Sequence, residues 1–171
     1  MKISILLPYK ENFSPNYAGA VSLFIKDISK ISKYKKKIYI YGNTQHKKIY
    51  PLKYINLNIK KNFIESQSEK YIDEFIKEEK KNKSDIIEIH NRPSYLRSLI
   101  KENIINVKHV LYFHNDPLTM RGSKTIKERI FLLSNCDKII FNSQWSKKRF
   151  LETIESKYYN SEKLIIIYQS S

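Results

Sequence analysis

Two short segments of this 171-residue chain, residues 90–93 and residues 114–117, share the pattern His-Asn-x-Pro. Imidazole can donate or accept a hydrogen bond and changes charge near neutral pH, so His90 and His114 are candidates for binding or proton chemistry. Each pattern could also be an ordinary turn, since proline stops a strand and asparagine suits turns. Two such turns at one edge of a sheet favour the functional interpretation.

The elements that carry these turns are short apolar runs separated by segments of helical period. Continuous runs of Ile, Leu, Tyr and Phe are typical of parallel strands covered on both faces. They predict strands over residues 3–7, 38–41, 54–57, 86–89, 110–113, 139–141 and 164–167. Strand and helix alternation predicts an α/β fold, a three-layer Rossmann-like, doubly wound, mostly parallel sheet of six to seven strands with helices on both faces.

The expected strand order is 3-2-1-4-5-6, with the seventh strand at the edge or leaving the domain. Residues 42–53 leave little room for a crossover helix, so the third strand is expected to pair antiparallel or to be irregular. In such a sheet, ligands bind beyond the carboxyl ends of the strands. Both His-Asn-x-Pro turns are predicted to lie at that edge.

Apolar stripes at helical spacing predict the helices. Their members are Val21, Phe24, Ile25, Ile28 and Ile31; Tyr71, Ile72, Phe75 and Ile76; Leu96, Leu99, Ile100 and Ile104; Ile126, Ile130 and Leu133; and Phe150, Leu151 and Ile154. Ser94 and Ser143 are expected N-caps. The acidic residues of the second helical stretch are expected on its solvated face; they are Glu69, Asp73, Glu74, Glu78 and Glu79.

Several chemistries are excluded by composition. Three glycines cannot supply a dinucleotide fingerprint or a phosphate-binding loop, and no two aspartates flank a single residue as in the metal motif of many sugar transferases. The lone Cys136 rules out a disulfide framework. The small residues 18–20 could admit an anionic ligand to a helix N-terminus or could serve helix–sheet packing, and both explanations stay open.

The net charge of +15 raises the question of nucleic-acid binding. The cations comprise 27 Lys and only 5 Arg, and the lysines are scattered in short runs. Base and phosphate recognition favour arginine, so the charge predicts a solvated lysine surface and no specific nucleic-acid partner. A basic face that meets anionic lipid or phosphorylated ligands is the second interpretation.

Three segments resemble the N-terminal domain of GT-B glycosyltransferases of family 4. They are residues 86–93 (IIEIHNRP), 111–117 (LYFHNDP) and 135–150 (NCDKIIFNSQWSKKRF). The resemblance implies that residues 1–171 form one Rossmann-like acceptor-binding domain, with the C-terminal donor-binding domain lying outside this chain. It implies an enzyme that transfers a sugar from a nucleoside diphosphate sugar to a lipid-linked or polysaccharide acceptor with retention of configuration. This chain alone is expected to be inactive.

The resemblance also implies roles for particular residues. His114 matches the histidine that contacts the transferred sugar, and Gly19 and Ser143 match positions near the donor phosphates, although the family's Gly-Gly pair reads Ala18-Gly19 here. The expected acceptor-binding residues are His90, Asn91, Arg92, Asn115, Asp116, Arg121 and Lys124. No metal and no resident cofactor are expected.

The resemblance implies a bacterial, cytoplasmic enzyme of polysaccharide or lipopolysaccharide biosynthesis, with residues 147–150 suited to peripheral contact at the inner face of a membrane. Its partners are a sugar or lipid-linked glycan acceptor and the donor domain. The alternative is a stand-alone, non-catalytic module that binds a sugar or a phosphorylated ligand. A basic nucleic-acid-binding domain is the third class, resting on charge alone.

Overall fold

The computed structural model describes residues 1–59 and 66–168. The strands are β1 (Ile3–Leu6), β2 (Ile38–Gly42), β3 (Tyr54–Asn56), β4 (Ile86–His90), β5 (Lys108–Phe113), β6 (Lys138–Phe141) and β7 (Leu164–Ile166). The helices are α1 (Ala20–Ile31), α2 (Gln67–Lys81), α3 (Ser94–Lys101), α4 (Ile126–Asn135) and α5 (Gln144–Leu151). Short 3-10 turns cover Lys35–Lys37, Pro117–Thr119, Ser156–Tyr158 and Ser161–Lys163.

The seven strands form one sheet in the order β3-β2-β1-β4-β5-β6-β7, and every pair is parallel. The reversal of strand order lies at β1, where Ile5 pairs with Ile40 on one side and with Glu88 on the other. The predicted three-layer Rossmann-like fold is confirmed. The seventh strand takes the first of its two expected places, the edge beside β6.

The third strand differs from expectation. We expected β3 to pair antiparallel or to be irregular, and that was wrong, since β3 pairs in parallel with β2. An irregular segment, residues 43–53, makes the crossover in place of a helix. Tyr50 anchors this segment because its buried ring packs edge-on against Phe13, with centroids 5.1 Å apart.

Two apolar clusters lie on opposite faces of the sheet. The smaller joins Val21 and Ile25 of α1 to Ile5 and Leu7 at the end of the first strand, and it also includes Ile40. The larger joins residues of α2 to α5 to the side chains that point to the other face of β1, β2, β4, β5 and β6. Because successive side chains of a strand point to opposite faces, one continuous apolar run serves both layers.

The apolar stripes are borne out most fully in α2, where Tyr71, Ile72, Phe75 and Ile76 are all buried. Elsewhere the ends of the stripes differ. Ile31, the last residue of α1, is 86% exposed. Ile104 packs against the core from beyond the end of α3.

Glu79 corrects the expectation that the acidic residues of α2 lie on its solvated face. Its side chain is 2% exposed and accepts hydrogen bonds from Ser4 Oγ (2.7 Å) and from the Ser84 N–H (3.0 Å). Lys2 Nζ lies 3.3 Å from the same carboxylate. This acid therefore ties α2 to the amino end of the sheet.

The far side of the sheet is more thinly covered. On the face that carries α1, the side chains of Val110, Ile140 and Ile165 are only partly buried and belong to neither apolar cluster. Within residues 1–59 and 66–168, α1 is the helix that contributes to the cluster on this face. The strands β5 to β7 are thus packed mainly from one side.

Candidate functional site

The turns that follow β4, β5 and β6 are tied to one another at the carboxyl edge of the sheet. The backbone N–H of His114 donates to Asn91 Oδ1 (2.8 Å), and the carbonyl of His114 accepts from Asn142 Nδ2 (2.7 Å). The backbone N–H of Asn91 donates to the carbonyl of Tyr112 (2.9 Å). The backbone of His114 is therefore held from both neighbouring strands.

Asn91 has a backbone conformation that few residues adopt easily. Its φ is +51°, in the left-handed region where asparagine is enriched among residues other than glycine. The residue is 5% exposed, and its side chain is engaged with His114. Asn91 thus shapes the turn, and its expected contact with an acceptor stays a prediction.

The two histidine rings are in direct contact. His90 Nδ1 lies 2.8 Å from His114 Nε2 in a hydrogen bond whose donor depends on the tautomers. The side chain of His90 is 0% exposed, whereas His114 is partly buried at the rim. Of the pair, His114 is the ring that a ligand can reach.

Aromatic side chains surround His114. Its ring stacks on Tyr112 at 4.3 Å between centroids and 15° between planes, and Phe24 of α1 packs edge-on at 5.2 Å. Burial, with a smaller contribution from the nearby His90, lowers the pKa of His114 to about 3. The ring is therefore neutral at pH 7, with one donor and one acceptor nitrogen. Such a ring suits a hydroxyl group better than a phosphate.

Asn115 and Asp116 continue from His114 with different roles. Asn115 is exposed at the rim. Asp116 Oδ1 accepts from the N–H of Leu118 and so caps the short turn Pro117–Thr119, while Oδ2 lies 3.4 Å from Nη2 of Arg149 in α5. Arg149 was not anticipated, because only the tertiary fold brings it to this loop.

Of the basic residues expected on the acceptor side, one lines a polar groove of about 380 Å³ between α2, α3 and the loop before α4. Arg121 lines this groove and its guanidinium lies 3.4 Å from Glu69, while Lys124 is exposed but is not among the lining residues. Arg92 donates from Nη1 to the carbonyl of Asn91 (2.8 Å) in the turn that leads into α3. The groove lies on the α2–α3 side of the sheet, opposite to the side of His114.

A glycine with positive φ closes this groove. Gly122 has φ +97°, and a Cβ built on it would lie 2.6 Å from the backbone nitrogen of Ser94. Any other residue would be strained and would collide with the first turn of α3. Gly122 therefore lets the loop rest directly against the helix.

The N-terminus of α1 already holds an anion from the chain itself. Gly19 is the N-cap residue and has no capping side chain, and Glu11 Oε1 accepts instead from the N–H of Ser22 (3.0 Å). The Glu11 carboxylate occupies the space where a Cβ on Gly19 would lie, with Oε2 at 2.9 Å. The small residue here therefore admits an internal carboxylate, an arrangement that no local sequence signal indicated.

Of the two serines expected to cap helices, only one does. Ser143 is the N-cap of α5, and its Oγ accepts from the N–H of Ser146 (3.1 Å). The N-cap of α3 is Pro93, and Ser94 is the first helical residue, so the expected cap at Ser94 was wrong. The Ser143 cap lies at the carboxyl edge of β6, the same edge as His114.

Neither a metal-binding cluster nor a membrane-spanning helix occurs in residues 1–59 and 66–168. In these parts of the chain, no group of three or more His, Cys, Asp or Glu side chains is arranged to hold a metal ion. No helix in the same segments is long and apolar enough to cross a membrane.

The fold is shared with solved structures of low sequence identity. HepE from Anabaena, in complex with UDP and glucose, matches all of this chain with a TM-score of 0.62 at 17% identity, and the match spans 45% of HepE. Sucrose-phosphate synthase from Thermosynechococcus elongatus matches with a TM-score of 0.64 at 12% identity and over 48% of its length. UDP-N-acetylglucosamine 2-epimerase from Rickettsia bellii matches with a TM-score of 0.57 at 12% identity.

These matches concern the fold. No protein-family model and no curated protein sequence matches the chain. The whole of this chain is matched, but the match covers a little under half of the length of HepE. In the part of the chain that the structure describes, the parallel sheet and its helices therefore have the fold of one half of a GT-B structure.

Proposed function

We propose that this chain is the acceptor-binding, N-terminal domain of a retaining GT-B glycosyltransferase. The enzyme would move a sugar from a nucleoside diphosphate sugar to a lipid-linked or polysaccharide acceptor. The observation that carries the proposal is the neutral His114, held by hydrogen bonds from two strands at the edge of the sheet where this fold binds ligands. HepE, one of the proteins with this fold, binds UDP and glucose.

His114 would orient the sugar. The neutral imidazole of His114 can donate a hydrogen bond to a sugar hydroxyl or accept one from it. Because hydrogen bonds already hold the backbone of His114, this residue loses little conformational entropy when the ligand binds. The rings of Tyr112 and Phe24 keep water away from two sides of His114. The developing charge on the leaving diphosphate would be neutralised by groups outside this chain. No metal ion or resident cofactor takes part in this proposal.

The groove beside Arg121 is the proposed site for a part of the acceptor remote from the transferred sugar, because the groove and His114 lie on opposite sides of the sheet. Its volume of about 380 Å³ is in the range of small-molecule sites. Its charged lining residues are Arg97, Lys101 and Arg121 together with the carboxylates Glu69 and Glu128. Arg92 lies in the turn between this groove and the histidine pair. A lining of both signs suits the many hydroxyl groups of a glycan.

The donor phosphates need a helix N-terminus that is not already occupied by a carboxylate. If they approach Gly19, the Glu11 carboxylate must first leave the N-terminus of α1, because two anions cannot share one helix end. Ser143 at the N-terminus of α5 has no such obstacle, since its hydroxyl is engaged only in a neutral cap. We therefore propose that Ser143 lies nearer the donor than Gly19 in the resting protein.

The test replaces His114 in the protein encoded by the complete reading frame. We expect His114→Ala to abolish sugar transfer, measured with a panel of UDP- and GDP-sugars, while the melting temperature stays nearly unchanged. His46→Ala is the matched control, since His46 lies in the loop after β2 and its ring stacks on Tyr17. Retained transfer in His114→Ala, or a large loss of stability, would contradict the proposal.

A second measurement concerns the chain by itself. The purified 171-residue protein is expected to show no transfer with the same panel. Detectable product would contradict the idea that this chain supplies only the acceptor half. Binding of UDP-sugars by the isolated chain without any dependence on His114 would instead favour a stand-alone binding module.

A further inference from the structure

The chain around the C-terminus of α1 carries a dense cluster of positive charge. Residues 26–37 contain six lysines and one acid, Asp27, which pairs with Lys26 at 2.9 Å. Lys53, just before β3, joins the other five lysines because its Nζ donates to the carbonyl of Lys36. This basic cluster therefore consists of Lys30, Lys33, Lys35, Lys36, Lys37 and Lys53.

The basic cluster is ordered and its charges are unpaired. The N–H of Lys35 donates to the carbonyl of Ser32 (3.1 Å), and the N–H of Lys37 donates to the carbonyl of Tyr34 (2.7 Å), so hydrogen bonds hold the backbone of the turn. All six residues of the cluster are exposed. Within residues 1–59 and 66–168, no carboxylate lies within ion-pair distance of their ammonium groups. The charge of the cluster is thus open to an external partner.

The exposed lysines of α2 differ from the basic cluster. Three of them each pair with a carboxylate at 2.7–2.8 Å: Lys77 with Glu74, Lys80 with Glu102 and Lys81 with Glu78. Their charge is largely balanced at the surface. The open charge at the end of α1 is therefore a local feature and does not follow from the lysine content of the chain alone.

Two apolar side chains lie within the basic cluster. Ile31 is 86% exposed and Tyr34 is 41% exposed, with Lys33 Nζ 5.1 Å from the centre of the Tyr34 ring. Tyrosine suits the level of lipid head groups, because its ring is apolar and its hydroxyl is polar, and isoleucine gains by entering the apolar layer beneath. A nucleic-acid backbone offers negative charge but no such layer. The cluster therefore fits an anionic lipid surface best.

Residues 147–150, for which the sequence predicts membrane contact, offer less to a bilayer. Phe150 is 0% exposed. The ammonium group of Lys147 donates to a backbone carbonyl (3.0 Å), and Arg149 pairs with two carboxylates. The fold thus already uses the apolar residue and two of the three cations of that stretch.

The basic cluster lies away from the candidate site. An α-helix rises about 1.5 Å per residue, so Ile31 lies about 10 Å along α1 from Phe24, which packs on His114. The cluster follows the end of α1 and precedes β2, and so it lies toward the amino edge of the sheet. A flat surface bound at the cluster leaves the carboxyl edge, with His114, accessible to a ligand.

We propose that the basic cluster, together with Ile31 and Tyr34, is a docking surface for an anionic lipid bilayer. The lysines supply an attraction that weakens as the salt concentration rises, because ions screen exposed charges. Ile31 supplies a contribution that salt does not screen, because it rests on apolar burial. This inference needs no sugar transfer and stands apart from the proposed function.

Vesicle sedimentation with the purified 171-residue chain tests the surface. Phosphatidylcholine vesicles that contain about 30 mol% phosphatidylglycerol should bind the chain at about 0.05 M salt, and vesicles of phosphatidylcholine alone should not. Binding should weaken steeply as the salt rises to about 0.5 M. A wild-type chain that fails to bind the anionic vesicles at the lower salt concentration overturns the proposal.

Two triple variants locate the surface. Lys35→Gln, Lys36→Gln and Lys37→Gln combined should weaken binding to the anionic vesicles about a hundredfold. Lys77→Gln, Lys80→Gln and Lys81→Gln combined remove the same charge from α2 and should change binding less than about threefold. Both variants should keep the melting temperature of the wild type, since all six side chains are exposed. Equal weakening in the two variants would show that net charge, and not the basic cluster, attracts the lipid.

A third variant tests the apolar part of the surface. Ile31→Gln should weaken vesicle binding about fivefold and by a similar factor at both salt concentrations, because it removes apolar burial and no charge. Unchanged binding in Ile31→Gln would overturn the proposal. In that case, equally tight binding of a mixed-sequence single-stranded oligonucleotide would identify nucleic acid as the partner of the lysines.

Discussion

Each end of the sheet has a buried polar cluster, and the two clusters are built differently. At the amino end, Glu79 accepts hydrogen bonds from Ser4 Oγ, the Ser84 N–H and Ser84 Oγ, and Lys2 supplies the opposite charge. Lys2 also donates from Nζ to the carbonyl of Asn82. Charge is balanced and the carboxylate is fully engaged, so this cluster stabilises the sheet and the end of α2.

The cluster at the carboxyl end contains two histidine rings in contact with each other. His90 and His114 share one hydrogen bond, and His90 Nε2 has a charged neighbour in Glu88 but no aligned hydrogen bond. The outer ring, His114, is partly buried at the rim, and its pKa is held low by burial and by the neighbouring His90. A balanced, closed cluster holds a fold together, whereas a cluster that ends at the surface in a neutral, fixed ring is suited to a ligand.

The largest expected effect distinguishes the clusters by stability. Glu79→Ala removes the carboxylate and leaves Lys2 buried without its counter-charge, so the free energy of unfolding should fall by about 3–5 kcal/mol in denaturant titration. Glu78→Ala, on the exposed side of the same helix, breaks only a surface pair with Lys81 and should cost about 0.5 kcal/mol or less. Equal losses in the two variants would mean that the amino-end cluster is not the one that stabilises the fold.

The second largest expected effect is a dependence of the free energy of unfolding on pH, which arises from His114 in the carboxyl-end cluster. The unfolded chain binds a proton at His114 below about pH 6.5, but the folded chain stays neutral there down to about pH 3. Protonation therefore favours the unfolded state, and the free energy of unfolding should fall as the pH drops from 7 to 5, by at most about 1.4 kcal/mol per pH unit.

A variant isolates the contribution of this ring. The pKa of the buried His109 is also lowered, mainly by burial, so the wild-type slope contains more than one histidine. His114→Gln should remove part of the slope between pH 7 and pH 5, measured by denaturant unfolding at each pH. An identical slope in wild type and His114→Gln would show that His114 is protonated normally in the folded protein.

The smallest effect concerns the serines beside the carboxyl-end cluster. Ser143→Ala removes the N-cap hydrogen bond of α5 and should lower the free energy of unfolding by about 1 kcal/mol. Ser94→Ala should cost much less, because Ser94 makes no cap hydrogen bond. Thermal unfolding of both variants checks the difference, and a larger loss in Ser94→Ala would reverse the assignment of the caps.

The order of the strands was predictable because each buried strand is a continuous apolar run, and parallel strands joined by helices allow few topologies. The turns at His90 and His114 were predictable as a pair for the same reason. What escaped prediction depends on distant partners. In the sequence, Glu79 has the pattern of a surface acid. Its burial depends on contacts with Ser84 and with Lys2 and Ser4, which are 75 or more residues away in the sequence.

The position of Glu11 at the N-terminus of α1 and the parallel pairing of β3 were not predicted, for related reasons. A carboxylate that caps a helix from a preceding loop leaves no pattern in the helix itself. The crossover between β2 and β3 has no helical period, and its place is fixed by the contact of Tyr50 with Phe13. At the candidate site, residue types indicated His114, but the contact between His90 and His114 required the register of β4 with β5.

The uneven covering of the sheet has a consequence for its motions. Val110, Ile140 and Ile165 are only partly buried on the side of α1, and β7 is an edge strand. Local opening of β6 and β7 therefore separates fewer apolar contacts than opening of β1 or β4, which lie at the centre between two layers. Amide hydrogens of Ile140 and Ile165 should exchange with solvent earlier than those of Ile5 and Ile87. The protein is thus expected to open from β7 inwards, so that β4, which carries His90, opens after β6 and β5.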